Sequence, residues 1–284
     1  MLSNVLILGG SGLLGQALAT VLRQLRLPPL APTRNELNVL DFKALEDYLD
    51  THRPSVIFNA AAYSQVEDAE DDEGAAMPLN RDLPAQLADF TRRRDIRLMH
   101  YSTDFVFDGK KRVPYSPEDA PNPLSAYGRS KLAGENAVLS VNTTTACIVR
   151  TAWLFGPGRK NFVRAILGKA LDGSPLRVVD DQLGSPTFTE DLAHYSLSLA
   201  QTGASGIFHI VNRGITSWYA LAKTALELKG LSTPIMPVKT AEFPMKATRP
   251  EYSALHTKKF TQATGIVPRP WTEALADYLG ADPA

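Results

Sequence analysis

The stretch NVLILGGSGLLG, residues 4–15, decides the fold. Asn4 to Leu8 reads as a buried strand, and beyond the glycines Leu14, Leu18, Val21, Leu22 and Leu25 recur at helical spacing. Gly9, Gly12 and Gly15 therefore stand in a G-x-x-G-x-x-G pattern between a strand and its helix, the context that gives such a pattern meaning. Glycines allow a tight turn, a close approach of the backbone to a pyrophosphate, and close packing of helix on strand. The helix N-terminus then offers free N–H groups and a favourable dipole. Gly9, Ser11, Gly12, Leu13, Leu14 and Gly15 are the candidate cofactor contacts of this turn.

Further apolar runs lie at Ser55–Ala62, Arg97–Ser102 and Ala146–Phe155, separated by helical patterns such as Ala85–Arg93 and Tyr127–Leu139. Strands alternating with helices predict an α/β fold, a Rossmann-type doubly wound parallel sheet with a smaller C-terminal substrate-binding lobe. After Gly156 prolines and glycines thicken, through Pro175, Pro186, Pro234, Pro237, Pro244 and Pro250. The expected division is a Rossmann domain over 1–155, rejoined by about 185–202, with 156–184 and 203–284 forming the lobe.

The bulk composition excludes several function classes. Lys+Arg and Asp+Glu balance at 30 each, which leaves no electrostatic footprint for nucleic acid or an anionic membrane. The single cysteine, Cys147, has no partner for an internal disulfide, and its apolar setting reads as a small buried hydrophobe. The opening MLSNVLILGG lacks the pattern of a secretory leader, and no apolar run approaches the roughly 18 residues of a membrane span. A cytoplasmic enzyme is the expectation. The five histidines show no zinc-ligand spacing, and no metal is expected.

An NAD-specific site places an acidic residue at the end of the second strand, about 20 residues past the glycines. Here that stretch is LAPTRNEL, where Thr33 and Arg34 suit a 2′-phosphate, so NADPH is the expected cofactor. Glu36 is near enough to keep NADH use open. Asp41 and Phe42 follow, as candidates for the adenine edge and face; Asp41 reads equally well as a helix N-cap.

In YGRSKLAGE, Tyr127 and Lys131 stand four apart and share one helix face. An ammonium beside a phenol favours phenolate and is expected to lower the tyrosine pKa toward a useful range for acid catalysis. Tyr219 and Lys223 repeat the spacing, so spacing alone is weak. Context separates the pairs: the strand ending HYSTDFVFDG offers Ser102 and Thr103 where ligands bind in open α/β sheets. Thr103 is placed to hold a substrate carbonyl, Tyr127 to donate a proton, and a nicotinamide to deliver hydride.

With GGSGLLG, STD and YGRSK identified, the chain resembles the extended short-chain dehydrogenase/reductases, and among them the dTDP-4-dehydrorhamnose reductases. The likeness extends through NAAAYSQVEDAE, STDFVFDG, RTAWLFGPGRKNFV and DQLGSPTFTEDLA. It implies NADPH-dependent reduction of the C4 ketone of dTDP-4-dehydro-β-L-rhamnose, the last step in supplying activated rhamnose for cell-surface polysaccharide. It implies catalytic roles for Thr103, Tyr127 and Lys131, and cofactor contacts that add Ala60, Ala61, Ala62, Tyr63 and Ser102. Sugar contacts are implied for Ser64, Val66, Asp104, Trp153 and Asn161. Read from the residues alone, the flat face of Trp153 suits a hexose and equally suits a core.

Asp104 is followed by Phe105, so the second carboxyl group of the related dehydratases is missing and simple ketone reduction is preferred. Two departures stand out. RPEYSALH carries His256 where the family usually has aspartate, and Ala17 stands where some members hold a glutamate that bridges a dimer through magnesium. A monomer or weak homodimer is expected. Two other readings compete: reduction or epimerisation of another nucleotide sugar, and a non-catalytic NADP-binding regulatory subunit.

Overall fold

In the computed structural model, which describes residues 3–281, the opening segment forms β1 (Val5–Leu8), the glycine turn and α1 (Leu13–Gln24). α1 lays Leu14, Leu18, Val21 and Leu22 on the sheet, the stripe read in the sequence. The second strand expected before LAPTRNEL is reduced to one bridge, Leu30 on Leu6. Pro28, Pro29 and Pro32 surround it and have no N–H to extend a ladder.

The chain continues through α2 (Phe42–His52), β2 (Val56–Asn59), the short α3 (Asp68–Asp71) and α4 (Glu73–Met77), and a π-helical turn at Pro78–Asp82. Next come α5 (Leu83–Arg94), β3 (Arg97–Thr103), a 3₁₀ turn at Asp104–Val106, α6 (Ala126–Val141) and β4 (Ala146–Thr151). After these lie β5 (Leu154–Phe155), α7 (Phe162–Leu171), β6 (Leu176–Val179), β7 (Leu183–Gly184), β8 (Thr187–Phe188) and α8 (Thr189–Gln201). The last elements are β9 (Gly206–His209), β10 (Thr216–Ser217), α9 (Trp218–Leu228), β11 (Ile235–Val238), α10 (Lys258–Thr264) and α11 (Trp271–Ala281).

The main sheet is parallel, in the order β1-β2-β3-β4-β9. Val5, Ile7, Phe58, Met99, Val149 and Phe208 pack on one face with α1 and α8; Leu6, Leu8, Ile57, Leu98 and Ile148 pack on the other with α2, α5 and α6. Burial on both faces explains why these strands read as continuous apolar runs. Leu30 lies on one side of β1 and β2 on the other, so the strand order reverses there and opens a crevice at the strands' carboxyl ends.

The lobe pairs β6 with β11 under α7 and α9, around Ile166, Leu176, Val178, Ala222 and Leu226. Phe155, Phe188, Leu221, Leu275 and Tyr278 join it to the main domain. The span 203–284, expected in the lobe, gives β9 to the main sheet and Phe260 of α10 to its core. The chain thus returns to the first domain over more than 185–202; GIFH is too short a run for a period to reveal it. Among the described residues no helix is long and apolar enough to cross a membrane.

α6 sits unusually close to its neighbours: a Cβ on Gly134 would collide with the Asn80 carbonyl oxygen, whereas one on Gly168 of α7 meets nothing within 4 Å. Replacing glycine by alanine inside a helix ordinarily gains about 0.5–1 kcal/mol. Gly168→Ala is therefore expected to raise the thermal midpoint and Gly134→Ala to lower it, measured by circular dichroism melts. A stabilised Gly134→Ala protein would contradict this packing.

Candidate active site

The glycine turn is built to a tolerance that excludes side chains. Gly9, at φ +80°, lies against the backbone of Ala60 and Ala61, and a Cβ on Gly15 would overlap the Gly9 carbonyl oxygen. β1, the start of α1 and the loop after β2 therefore meet backbone to backbone. No side chain caps the N-terminus of α1 at Gly12, so its first N–H groups remain available to an anion.

A cavity of about 510 Å³ runs from this turn to the catalytic candidates. Gly9, Ser11, Gly12, Leu13, Leu14, Arg34, Ala60, Ala61, Ala62, Ser64, Ser102, Tyr127 and Lys131 all line it. Gly15, Thr33, Asp41, Phe42 and Tyr63 are outside that lining. Asp41 instead caps α2, accepting from the Ala44 N–H at 3.0 Å. Glu36 is committed to its own turn: the Thr33 N–H donates to its carboxylate at 2.7 Å and holds its pKa below the ordinary value. Arg34 has no hydrogen-bond or charge partner among the described residues and stands exposed at the cavity. The cradle, the uncapped helix start and the unpaired guanidinium fit a phosphorylated dinucleotide.

At the other end, α6 carries Tyr127 and Lys131 on one face. Its N-terminus is fixed by the Ser125 cap on Gly128 N–H and by Glu70, which accepts from the Ala126 N–H at 2.7 Å. Lys131 is buried and donates to the Tyr101 carbonyl at 2.6 Å; burial lowers its pKa to about 8, with Glu135 opposing. The Tyr127 pKa is not lowered as the sequence predicts. Burial, and then the Asp104 carboxylate, push it up to about 12, while the ammonium expected to act on it is engaged by Tyr101.

Thr103 is buried at the end of β3, donating to Asp104 at 3.1 Å and accepting from the Phe105 N–H at 3.1 Å. Asp104 is buried beside it, and burial pushes its carboxyl up to about 6 although Ser253 and Thr103 donate to it.

Among the expected substrate contacts, Ser64 and Tyr127 line the cavity, and Val66, Thr103, Asp104, Trp153 and Asn161 lie outside its lining. Trp153, at φ +49°, stacks on Trp218 with centroids 3.6 Å apart and planes 6° from parallel. Asn161 caps α7 and donates to the Gly156 carbonyl at 2.8 Å. His256, in place of the usual aspartate, accepts from the Lys258 N–H through Nδ1 at 3.1 Å.

Sequence reasoning missed Asn80, which is fully buried in the π-helical turn. Its amide accepts from Tyr63 N–H, donates to the Tyr63 carbonyl and donates to Ser130 on α6, so it ties the Ala60–Ser64 loop to the catalytic helix. It also missed Asn38, Val39 and Leu40, which line the cavity beside Arg34, and Arg159, which lines it from the loop before α7. No local motif marks any of these.

Comparison with known proteins gives one consistent picture. The family model described as RmlD substrate binding domain matches residues 3–282. A dTDP-4-keto-6-deoxy-D-glucose reductase of Streptomyces niveus is 40% identical, the match covering 99% of each chain. A dTDP-4-dehydrorhamnose reductase of Streptomyces griseus is 38% identical over 97% of this chain and 93% of its own. The crystal structure of dTDP-4-dehydrorhamnose reductase from Bacillus anthracis in complex with NADP superposes at a TM-score of 0.95, with 30% identity over 99% of this chain and 100% of its own.

The raised Asp104 pKa has a consequence for stability. Its folded pKa of about 6 exceeds the ordinary aspartate value of 3.8, so the folded state holds this proton more tightly and loses stability as pH rises between those values. Asp104→Asn is expected to be more stable than the parent at pH 7, by about 1–3 kcal/mol, with the gain vanishing near pH 4. Urea denaturation at the two pH values measures this; equal midpoints at pH 7 would contradict it.

Proposed function

Because this chain belongs to the RmlD substrate binding domain family, we propose that it is an NADPH-dependent oxidoreductase of dTDP-linked 4-keto sugars. Its substrate is dTDP-4-dehydro-β-L-rhamnose, reduced at C4 to dTDP-β-L-rhamnose. The observation that carries the reading is a single cavity shared by the glycine turn, Arg34, Tyr127 and Lys131.

Bound in the cavity, the cofactor would meet its pyrophosphate holders in the backbone of Gly9, Ser11, Gly12, Leu13 and Leu14, and Arg34 would hold its 2′-phosphate. When bound, its nicotinamide supplies the hydride that reduces the ketone carbon. The protein's task is the proton. Tyr127, whose raised pKa keeps it a neutral phenol at working pH, donates its proton to the ketone oxygen as that oxygen gains charge, and C=O becomes CH–OH. Thr103, buried at the end of β3, orients the same oxygen, and the buried Lys131 ammonium offsets the phenolate left behind. A proton from solvent restores the phenol. Ser64 meets the sugar from the cavity wall, and the contacts that the resemblance implies for Val66, Asp104, Trp153 and Asn161 are reached beyond that lining.

A second reading, reduction of dTDP-4-keto-6-deoxy-D-glucose, draws on the Streptomyces niveus relative. The two sugars share the ketone and differ in ring stereochemistry, so Tyr127 serves either.

NADPH oxidation with each dTDP-linked 4-keto sugar separates the readings: product from the rhamnose precursor supports the first, product from the glucose series alone supports the second. Failure with both, despite NADPH binding, would favour first another nucleotide keto-sugar and then the regulatory subunit. Tyr127→Phe is expected to lower kcat by roughly two to four orders of magnitude with NADPH affinity nearly intact, and Tyr219→Phe to leave kcat at the parent value. Arg34→Ala is expected to raise the NADPH KM about tenfold or more while barely moving that for NADH. An equal effect on both cofactors would remove Arg34 from the 2′-phosphate.

A further inference from the structure

Tyr127, Lys131 and Glu135 follow one another at four-residue intervals along α6, so the two proposed catalytic side chains share their face with a carboxylate that the reduction itself does not use. Glu135 is 1% exposed and its two oxygens accept three hydrogen bonds. Ser102 donates to Oε1 at 2.5 Å, Arg150 Nε to Oε1 at 2.9 Å and Arg150 Nη2 to Oε2 at 2.6 Å. Arg150 is itself 1% exposed on β4, directly opposite Ser102 in the register, with its guanidinium over the Phe107 ring at 5.0 Å. Among the described residues Glu135 is its only counter-charge.

A buried, forked ion pair is an expensive way to join a helix to a sheet, since apolar residues of similar volume would serve stability as well. Its position accounts for it. We propose that Glu135 is a positioning residue for the reduction: held by Arg150 and Ser102, it sets a fixed negative charge one turn behind Lys131 and so keeps that side chain an ammonium in the cavity. This deepens the functional reading and rests on it for the role of Lys131.

The charged and titratable groups around Lys131 leave no other residue for this task. Tyr127 shares its helix and is a neutral phenol. From β3 come His100, kept neutral by burial, and Tyr101, whose carbonyl already accepts from Lys131. Asp104, in the turn after β3, is held by Thr103 and Ser253. Arg150 on β4 is a like charge, and its neighbour His209 is held neutral, with a pKa lowered to about 3. On the outer elements, Glu70 is taken by the Ala126 N–H, Glu73 by Arg129, Asp82 by Arg81, and Asp89 by Arg92 and Arg93. Glu135, buried with Lys131 one turn away on the same helix face, is the carboxylate placed for that task.

The test reads Lys131 directly, through ¹³Cε NMR titration of lysine-labelled full-length protein with the resonance assigned by Lys131→Arg, alongside the alkaline limb of NADPH binding. In Glu135→Gln, where the Arg150 charge is left uncompensated, both are expected to move down by about one pH unit or more. Glu135→Leu with Arg150→Met removes both charges and keeps an apolar fill, so it remains informative where the single variant fails to fold; its shift is expected to lie between the parent and Glu135→Gln. In the reductase assay the same shift falls on kcat more than on the sugar KM. An unchanged Lys131 titration in the folded double variant, or equal shifts in the two, overturns the proposal. Because the titration needs no turnover, a protein that reduces none of the sugars tested would count against the functional reading alone.

Discussion

α6 meets the rest of the domain through other segments' carbonyl oxygens, that of Phe105 lying against Gly128 and that of Asn80 against Gly134. Packing by backbone leaves a helix almost no freedom to roll or slide, because any side chain interposed at either point would push it outward by the width of a methyl group. Tyr127 lies beside the first contact and Lys131 between the two, so their positions follow from where the helix is allowed to lie. The same logic repeats at the other end of the cavity, where Gly9 and Gly15 let β1, α1 and the Ala60–Ala61 loop converge. Both ends depend on the absence of side chains, and Asn80 joins them by bonding the loop on one side and Ser130 on the other.

Between those ends the domain accepts electrostatic cost. Asp104 and Arg150 are buried at the carboxyl ends of β3 and β4, and Lys131 and Glu135 are buried on α6 against those strands. Burial moves Asp104 and Lys131 in opposite directions, each toward its neutral form, and this draws both pKa values closer to neutrality than either group has in water. A scaffold selected for stability alone would place apolar residues there; the tuning of charge is where stability is given up for chemistry.

Much of this was legible in the residues, and the exceptions are instructive. The βα unit at residues 4–24 and the strands feeding α5 and α6 follow from period and punctuation, because a sheet buried on both faces leaves unmistakable apolar runs. That the glycine turn and the Tyr127–Lys131 pair would share a cavity was legible from their strand and helix context, since the Tyr-x-x-x-Lys spacing alone recurs at Tyr219 and Lys223. Asp41 was not, since a carboxylate before a helix reads alike as a cap and as a ligand, and only the Ala44 N–H decides where it is spent. The direction of the Tyr127 shift was also out of reach: i, i+4 spacing brings a lysine near, but the burial that raises the phenol is set by the tertiary fold, and the Tyr101 carbonyl that engages the lysine lies on β3. Asn80 and Arg159 act across long sequence separations and leave no local trace. Trp153 joined a stack with a tryptophan from the lobe that no pattern on its own strand foretells.

The place of β9 bears on how the chain is made. β4 pairs on one side with β3 and on the other with β9, and between Thr151 and Gly206 the chain departs to build α7, β6 and α8. During synthesis the run ACIVRT therefore emerges long before its second neighbour, and its outer edge stands unpaired while the ribosome completes the intervening segment. Arg97 waits at that edge as well, its guanidinium ultimately bonding the carbonyls of Gly203 and Ala204 just ahead of β9. A nascent chain stalled within that interval would display the apolar edge of β4 and the free Cys147 that β9 otherwise helps to cover.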